Sequence, residues 1–485
     1  MKNNSIYILI VVILGAFSCN EGELDLYPKT QITEGNFYEN DEQLILSVND
    51  IYRQLARIYN AQGIADLYGE LRSDNTYIEF TGGSTTFSEE IADYYIRTNN
   101  GLIENAWKTS YNAIFICNNA LFHLENSEVQ FTDPTLRERL KAEATLVRSL
   151  IFFNMVRVWG GIPLPLKPLK PEEGYDYLRE SKEVVYQQII NDLQYAKNNL
   201  PESYTGNDVG RVTKYGAAAI LAKAYITMGD TQNASNELKE IIDSNRFSLD
   251  ANGDGNINSE DYEFLFMPST KNSKASLLEV QYQGGENAVN SNHQSQYTPF
   301  HWAFHLPGMN ETFRGNGMNT PTQDLVDEFE AEDTVRKRVS VYPGYLNLDT
   351  DQFIDYPFTM KFYDPNWRYP GQNFEIIRYA DILLMYAEVT GDPTYLNRVR
   401  ARVGLPGFGE PGYPEEYNDL ALALEHERRV ELCFEFHRFF DLARTGRAVE
   451  IMKAKGFDID QDKLLFPIPL RAIDVNNKIA QNSGY

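Results

Sequence analysis

Thr213-Lys-Tyr-Gly-Ala-Ala-Ala-Ile-Leu221-Ala222-Lys-Ala-Tyr225-Ile-Thr-Met228-Gly229-Asp230, followed by Ala234 to Ile242, is the stretch whose reading decides the architecture. Apolar residues recur at helical spacing on both sides of Gly229-Asp230, and that dipeptide marks a turn between two helices. Ala222 and Ala234 are small enough to let the two backbones cross closely, while Leu221 and Tyr225 fill the space beside them. A pair of this kind leaves an apolar face that only further pairs can cover. The same periodicity predicts helices over 44–58, 103–124, 136–158, 184–200, 376–389 and 420–442. In the third of these, Leu140, Ala144, Val147, Ile151 and Val158 line one stripe.

The pair around Gly229 carries the signature of a tetratricopeptide helix-turn-helix. Between the periodic segments lie stretches without helical period, rich in Gly, Asn, Pro and aromatic residues: 68–95, 160–177, 281–319 and 341–372. Irregular stretches of that length are functional or disordered, and their aromatic content argues for order. The expected fold is mainly α, with stacked helix pairs as a scaffold and the irregular segments gathered on one face. It forms a single domain over 41–485.

Lys2, the unbroken apolar run Ile6 to Phe17, and Ser18-Cys19 follow the order of a signal peptide. The run is shorter than the roughly 20 apolar residues a spanning helix needs, so residues 1–18 are expected to be removed. Gly15, Ala16 and Ser18 precede Cys19, whose thiol at the cleavage point can take a diacylglyceryl group. The expected product is a lipoprotein at a bacterial membrane surface, with the acidic, turn-rich segment 19–40 as its tether. The formal net charge of -25 excludes nucleic acid and anionic lipid as partners on electrostatic grounds. Cys117 and Cys433 lie in apolar helical contexts, where a free buried thiol is the commoner state, a disulfide between them in an oxidising compartment being the alternative.

The sharpest local motif runs from Asp250 to Asp261. Asp250, Asn252 and Asp254 stand at the first, third and fifth positions, Gly255 at the sixth, and Asp261 at the twelfth, as in a calcium loop of the EF-hand type. With Asn256 these residues are candidate ligands for one structural Ca2+. The same composition also makes an Asn/Gly-rich surface turn without metal, and Asp261 is shorter than the glutamate that usually binds through both oxygens. His301-Trp302-Ala303-Phe304-His305 lacks the glutamate of a hydrolytic zinc motif and reads as an aromatic loop with polar tips. The charged run from Glu425 to Asp441 places opposite signs at helical spacing, which points to ion pairs that fix helix packing rather than to catalysis. No nucleophile elbow, phosphate loop or dinucleotide fingerprint is present.

Aromatic side chains remain. The chain holds 31 Tyr and 27 Phe against 6 His, which favours contact with flat apolar ligand faces over proton shuttling. Tyr77, Phe80, Tyr94, Tyr95, Trp302, Tyr363 and Trp367 lie in or beside the irregular segments and are the candidate ligand contacts, the alternative being that each packs under its own loop. Trp107 and Trp159 sit on helical stripes and belong to the core.

Several blocks recur in a fixed order: Asp25-Leu-Tyr-Pro28, Trp107 to Asn119, Glu143-Ala144 to Arg148-Ser149, Trp159-Gly-Gly161-Ile-Pro163, Lys214 to Asp230, and Ile377-Arg378-Tyr379-Ala380-Asp381 to Glu388. They continue with Asn397-Arg-Val-Arg400-Ala-Arg402, Glu427-Arg428-Arg429-Val-Glu431, Arg438-Phe-Phe-Asp441, Phe466-Pro-Ile-Pro469 and Gln481-Asn482-Ser-Gly484-Tyr485. Together they resemble the SusD/RagB family of Bacteroidetes outer-membrane lipoproteins over nearly the whole chain. The resemblance implies a SusD-like fold with four tetratricopeptide-like units and a role without catalysis. In that role the protein binds a glycan at the cell surface and delivers it to a SusC-like TonB-dependent transporter, which it covers as a lid. It also implies ligand contacts near 77–100 and 281–302. Oligopeptide capture in a RagB-like complex is the alternative. A glycoside hydrolase would need two carboxylates about 5–10 Å apart across a cleft, and no such pair is identifiable. The calcium-like loop lies outside the family's shared pattern.

Overall fold

The turn at Gly229 forms as its chemistry suggests. The Thr213 hydroxyl accepts the N–H of Gly216 (3.1 Å) and starts the helix Lys214–Met228. Gly229, at φ 81°, closes that helix in the left-handed region where a side chain would be strained. The Asp230 carboxylate then accepts the N–H of Asn233 (3.1 Å) and starts Thr231–Asp243. A computed structural model describes residues 38–79, 83–301, 304–309 and 311–485. Cys19, the signal segment and most of the tether lie outside the described residues.

The longer helices are α1 (Asp41–Tyr59), α2 (Gly101–Asn126), α3 (Leu136–Trp159), α4 (Lys182–Asn199), α5 (Lys214–Met228), α6 (Thr231–Asp243), α7 (Tyr379–Thr390), α8 (Thr394–Arg402) and α9 (Leu420–Leu432), followed by the shorter α10 (Arg438–Arg444). Each of α1 to α8 packs on the next along the chain, except that α6 is followed in space by α7 across a long insertion. Four consecutive pairs, α1/α2, α3/α4, α5/α6 and α7/α8, thus form one stack. The α3 helix, on which α1, α2 and α4 all pack, is buried on nearly every face from Leu140 to Trp159. One apolar cluster runs from Leu44 to Ile479 through these helices. None of the described helices is long and apolar enough to cross a membrane.

Two helix boundaries differ from the sequence reading. Residues 376–378 belong to a strand, Phe374–Arg378, which pairs antiparallel with Ser276–Val280; all five of its residues are buried, a condition that favours β-branched Ile376 and Ile377 in a strand. The expected helix 420–442 is broken between α9 and α10, where Phe434 (φ 65°) and Phe436 (φ 63°) turn the chain. That turn carries Glu435 to Arg378 and Lys361 and stacks Phe436 on Phe374 at 4.5 Å. It also brings the Phe436 carbonyl so near Gly69 that a Cβ there would lie 2.1 Å away.

The charged run from Glu425 to Asp441 makes ion pairs, as expected. Glu431 is fully buried and meets three guanidiniums: Arg402 (2.6 Å), Arg336 (2.9 Å) and Arg378. Burial works against its charged form, yet the three cations outweigh burial and hold the carboxyl well below its ordinary value. Glu427 joins Arg336 (2.6 Å) to Arg400 (3.0 Å), and Arg428 joins Asp381 to Asp441 at 2.8 Å each. Cys117 and Cys433 are free and buried, and burial pushes their thiols up to about 12 and about 11.

Two other buried carboxyls make no ion pair among the described residues. Burial pushes Asp66 up to about 6, against hydrogen bonds from Gln62 and Asn319, and Glu70 up to about 7, against hydrogen bonds that include one from Asn75. Both groups hold a proton in the folded state at pH values where the unfolded chain has released it. Raising the pH from about 4 to 7 therefore drains stability. Glu70→Gln removes the titration at that position, so urea midpoints should move in the variant's favour, relative to the unmodified protein, by up to about 3 kcal/mol between pH 4.5 and 7.5. A constant difference across that range would sink this account.

Candidate functional site

The irregular segments 68–95, 281–319 and 341–372 converge, and the third is less irregular than its composition suggests. It forms a hairpin, Tyr342–Asn347 paired with Gln352–Phe358, turned at 348–351 with Asp351 in the left-handed region (φ 53°). A short ladder, Thr76–Tyr77 with Thr320–Pro321, packs beside the second hairpin strand. Tyr77 is therefore brought near Tyr356, nearly 280 residues away in sequence.

The result is an aromatic ledge. The Tyr356 hydroxyl donates to Glu79 (2.5 Å) and contacts the Thr320 hydroxyl (3.0 Å). Burial, then the hydrogen bond to Glu79, push the Tyr356 hydroxyl well above its ordinary pKa, with smaller contributions from the charges of Glu79 and Tyr77. Tyr345 lies 6.2 Å from Tyr356 between ring centres, 5.6 Å from His301 in a stacked pair, and 4.8 Å from Phe304. His301 Nε2 has no hydrogen bond among the described residues; Asp349 is 4.0 Å away. From Phe304 the contacts run to Phe313 (6.1 Å) and on to Trp367 (5.5 Å, edge to face), whose indole N–H donates to Glu311 (2.9 Å). Tyr363 packs in the same small cluster.

The candidate residues named from sequence divide accordingly. Tyr77 is exposed on the ledge, and Trp367 and Tyr363 are half-buried at its far end. Tyr94 is a correction: it is 1% exposed, its hydroxyl donates to the Arg72 carbonyl, and its ring packs on Phe457 and Phe439. A tyrosine at φ 64° after a short helix turns inward, so it is core. Tyr95 is exposed but stands apart, among Asp93, Glu89 and Arg97. Phe80 and Trp302 lie outside the described residues. Tyr345, Tyr356 and Glu79 were missed. The signal that could have found the tyrosines is the Asp349-Thr350-Asp351 turn between two runs rich in Tyr, Ile and Phe, which reads as a hairpin.

Elsewhere the chemistry is structural. In the loop 250–261 the Asp250 carboxylate accepts the N–H groups of Gly253 (2.8 Å) and Gly255 (3.1 Å), Asn252 accepts that of Asp254 (2.9 Å), and Asp254 that of Asn256 (2.7 Å). Asp261 accepts from Asn252 (3.2 Å) and Asn258 (2.9 Å). Among the described residues no group of three His, Cys, Asp or Glu converges on a metal-sized centre. Glu279 and Glu375 are buried cross-strand partners, and burial followed by the Glu279 charge pushes Glu375 well above its ordinary value. Such a pair shares a proton inside a sheet. It does not flank a cleft. Cavities of about 450, 310 and 290 Å3 open among the scaffold helices, none lined by the ledge residues.

Comparison with known proteins adds independent findings. A family model described as starch-binding associating with outer membrane matches residues 24–226, and the model of the SusD family matches 337–485. SusD-like protein P25 of Formosa agariphila is 25% identical, with both chains covered in full. A SusD-like protein of Bacteroides ovatus is 24% identical, over 92% of this chain and 83% of its own. Among solved structures, a laminarin-binding SusD-like protein aligns with a TM-score of 0.78 at 26% identity, over 92% of this chain and all of that one. Surface glycan-binding protein A from Bacteroides thetaiotaomicron in complex with laminarihexaose aligns with a TM-score of 0.75 over 91% of this chain and 99% of its own; at 18% identity the likeness is one of fold.

Proposed function

We propose, from the premise that this chain belongs to the SusD/RagB family, that it binds a glycan at the cell surface without cleaving it. The observation that carries this reading is the open ledge of Tyr77, Tyr356 and Tyr345 with His301. Aromatic rings stack against the CH-rich faces of sugars, while Glu79 and the tyrosine hydroxyls suit their hydroxyl rims. An extended peptide would favour a deeper cleft. The partner that receives the glycan is a SusC-like TonB-dependent transporter in the outer membrane, and lipid on Cys19 holds this protein beside it.

The purified protein, run on gels cast with a panel of polysaccharides, is expected to be retarded by at least one of them and to release no reducing ends. Laminarin leads the panel because a neighbour of 26% identity binds it. Cleavage, or binding confined to oligopeptides, would overturn the reading. Cys19→Ala should leave retardation unchanged and reduce glycan uptake by whole cells severalfold; equal losses in both assays would refute the role given to the anchor.

For the loop 250–261 we propose one structural Ca2+. Its side chains already accept backbone N–H groups, and each oxygen keeps a lone pair for an ion at the centre. Chelation is expected to lower Tm by a few degrees, restored by calcium, with no such response in Asp250→Ala. An unchanged Tm on chelation rules the ion out.

A further inference from the structure

Arg157 departs from the pairing that governs most buried cations here. Its guanidinium is sandwiched between Phe153 (3.9 Å) and Phe440 (3.7 Å). Nε donates to the Phe153 carbonyl (3.1 Å) and Nη2 to Asn154 (2.6 Å), while among the described residues Nη1 has no acceptor and no carboxylate pairs with the group. Asp441 exerts only a weak pull from a distance, and its oxygens are committed to Arg428 (2.8 Å) and Arg444 (2.9 Å). Burial pushes Arg157 below the usual guanidinium value, the mark of a charge without compensation. Arg72 also lacks a carboxylate, but carbonyls of Leu464 and Lys463 take both its terminal nitrogens.

Arg157 lines the 450 Å3 cavity, which is within the range of small-molecule sites, about 300–1,000 Å3. Tyr186, Phe440 and Leu465 supply apolar walls, Thr227 a hydroxyl, and Lys182 a cation at the rim; Arg444 also lines the cavity, its charge held by Glu388 and Asp441. Lys182 and Glu183 open α4, whose N-terminus adds partial positive charge. Glu183 also stands at the rim, exposed and 4.0 Å from Lys182, with its carboxylate drawn back to its own backbone N–H and to Ser181.

We propose that this cavity is a second ligand site, one that takes a sugar-sized organic acid with its carboxylate on Arg157 Nη1 and its ring against Tyr186. A singly charged, planar carboxylate matches one guanidinium edge and neutralises one half-buried charge. A dianion would carry surplus charge into a largely apolar pocket. The inference does not rest on the ledge, which is built from other segments.

Thermal unfolding with sodium glucuronate, glucose or sodium phosphate tests it. Glucuronate at millimolar concentration is expected to raise Tm by a few degrees, with glucose and phosphate giving no shift, and Arg157→Gln is expected to abolish the response. Should Arg157→Gln fail to fold, Lys182→Ala, at an exposed rim position, is expected to weaken glucuronate binding severalfold by calorimetry. Retardation on polysaccharide gels, which reports on the ledge, should be unchanged in both variants. Equal shifts with glucose, a shift with phosphate alone, no shift with glucuronate, or an undiminished response in either variant overturns the proposal.

Discussion

Glu431→Ala is expected to cost about 3–5 kcal/mol, read as a large fall in the urea midpoint, because it removes one partner of a buried charge cluster and strands the rest. The residual charge is not shared evenly. Arg336 keeps Asp333 and Glu427, and Arg378 keeps Glu435. Among the described residues Arg402 has Glu431 as its only acidic partner, and its Nε is already without an acceptor. Most of the cost therefore falls on a single arginine that is 2% exposed. If so, Glu431→Met combined with Arg402→Met should recover much of the loss, since an apolar pair carries no desolvation penalty. By contrast, breaking the exposed α6 pair Lys239 and Asp243 should leave the urea midpoint nearly unchanged, because water screens it. A loss below 1 kcal/mol for Glu431→Ala would show that the cluster is not what joins α8 and α9 to the strand at 374–378.

The combined variant Tyr77→Ala/Tyr345→Ala is expected to weaken retention by a bound polysaccharide at least tenfold, about 1.4 kcal/mol or more. Tyr77 is exposed, so its removal leaves the fold nearly untouched. Tyr345 packs partly on Phe304, and some loss of Tm is expected from that half of the variant. Tyr95→Ala is the matched control: it is similarly exposed but stands away from the ledge, and its binding should equal that of the unmodified protein. Calorimetry on the three proteins, alongside Tm, separates lost contact from lost structure. Equal weakening by Tyr95→Ala would move the glycan site away from the hairpin.

The α scaffold was legible because its signals are local. Thr213, Gly229 and Asp230 act within a few residues of themselves, and the stripe of α3 repeats along one helix. The segment 376–389 misled because Ile376 and Ile377 fit a buried stripe on a helix as well as a strand, and only pairing with 276–280 decides between them. Helix 420–442 misled because nothing local announces that Phe434 and Phe436 will adopt positive φ; the reward is distant, in Lys361, Arg378 and Gly69.

The ledge divides in the same way. That the irregular segments were ordered and aromatic could be read from composition, and Tyr77 and Trp367 could be named. That Tyr94 turns into the core could not, because its partners Arg72, Phe439 and Phe457 are set by the fold. By itself the sequence determined the helical scaffold, the family and the ion-pairing character of the C-terminal helices, since periodicity, capping and charge spacing act over one or two turns. Only the tertiary structure decided which aromatics share a surface and which cation has no carboxylate partner among the described residues. Those are properties of side chains brought together from segments up to several hundred residues apart, where burial and neighbouring charge, rather than local propensity, set the outcome.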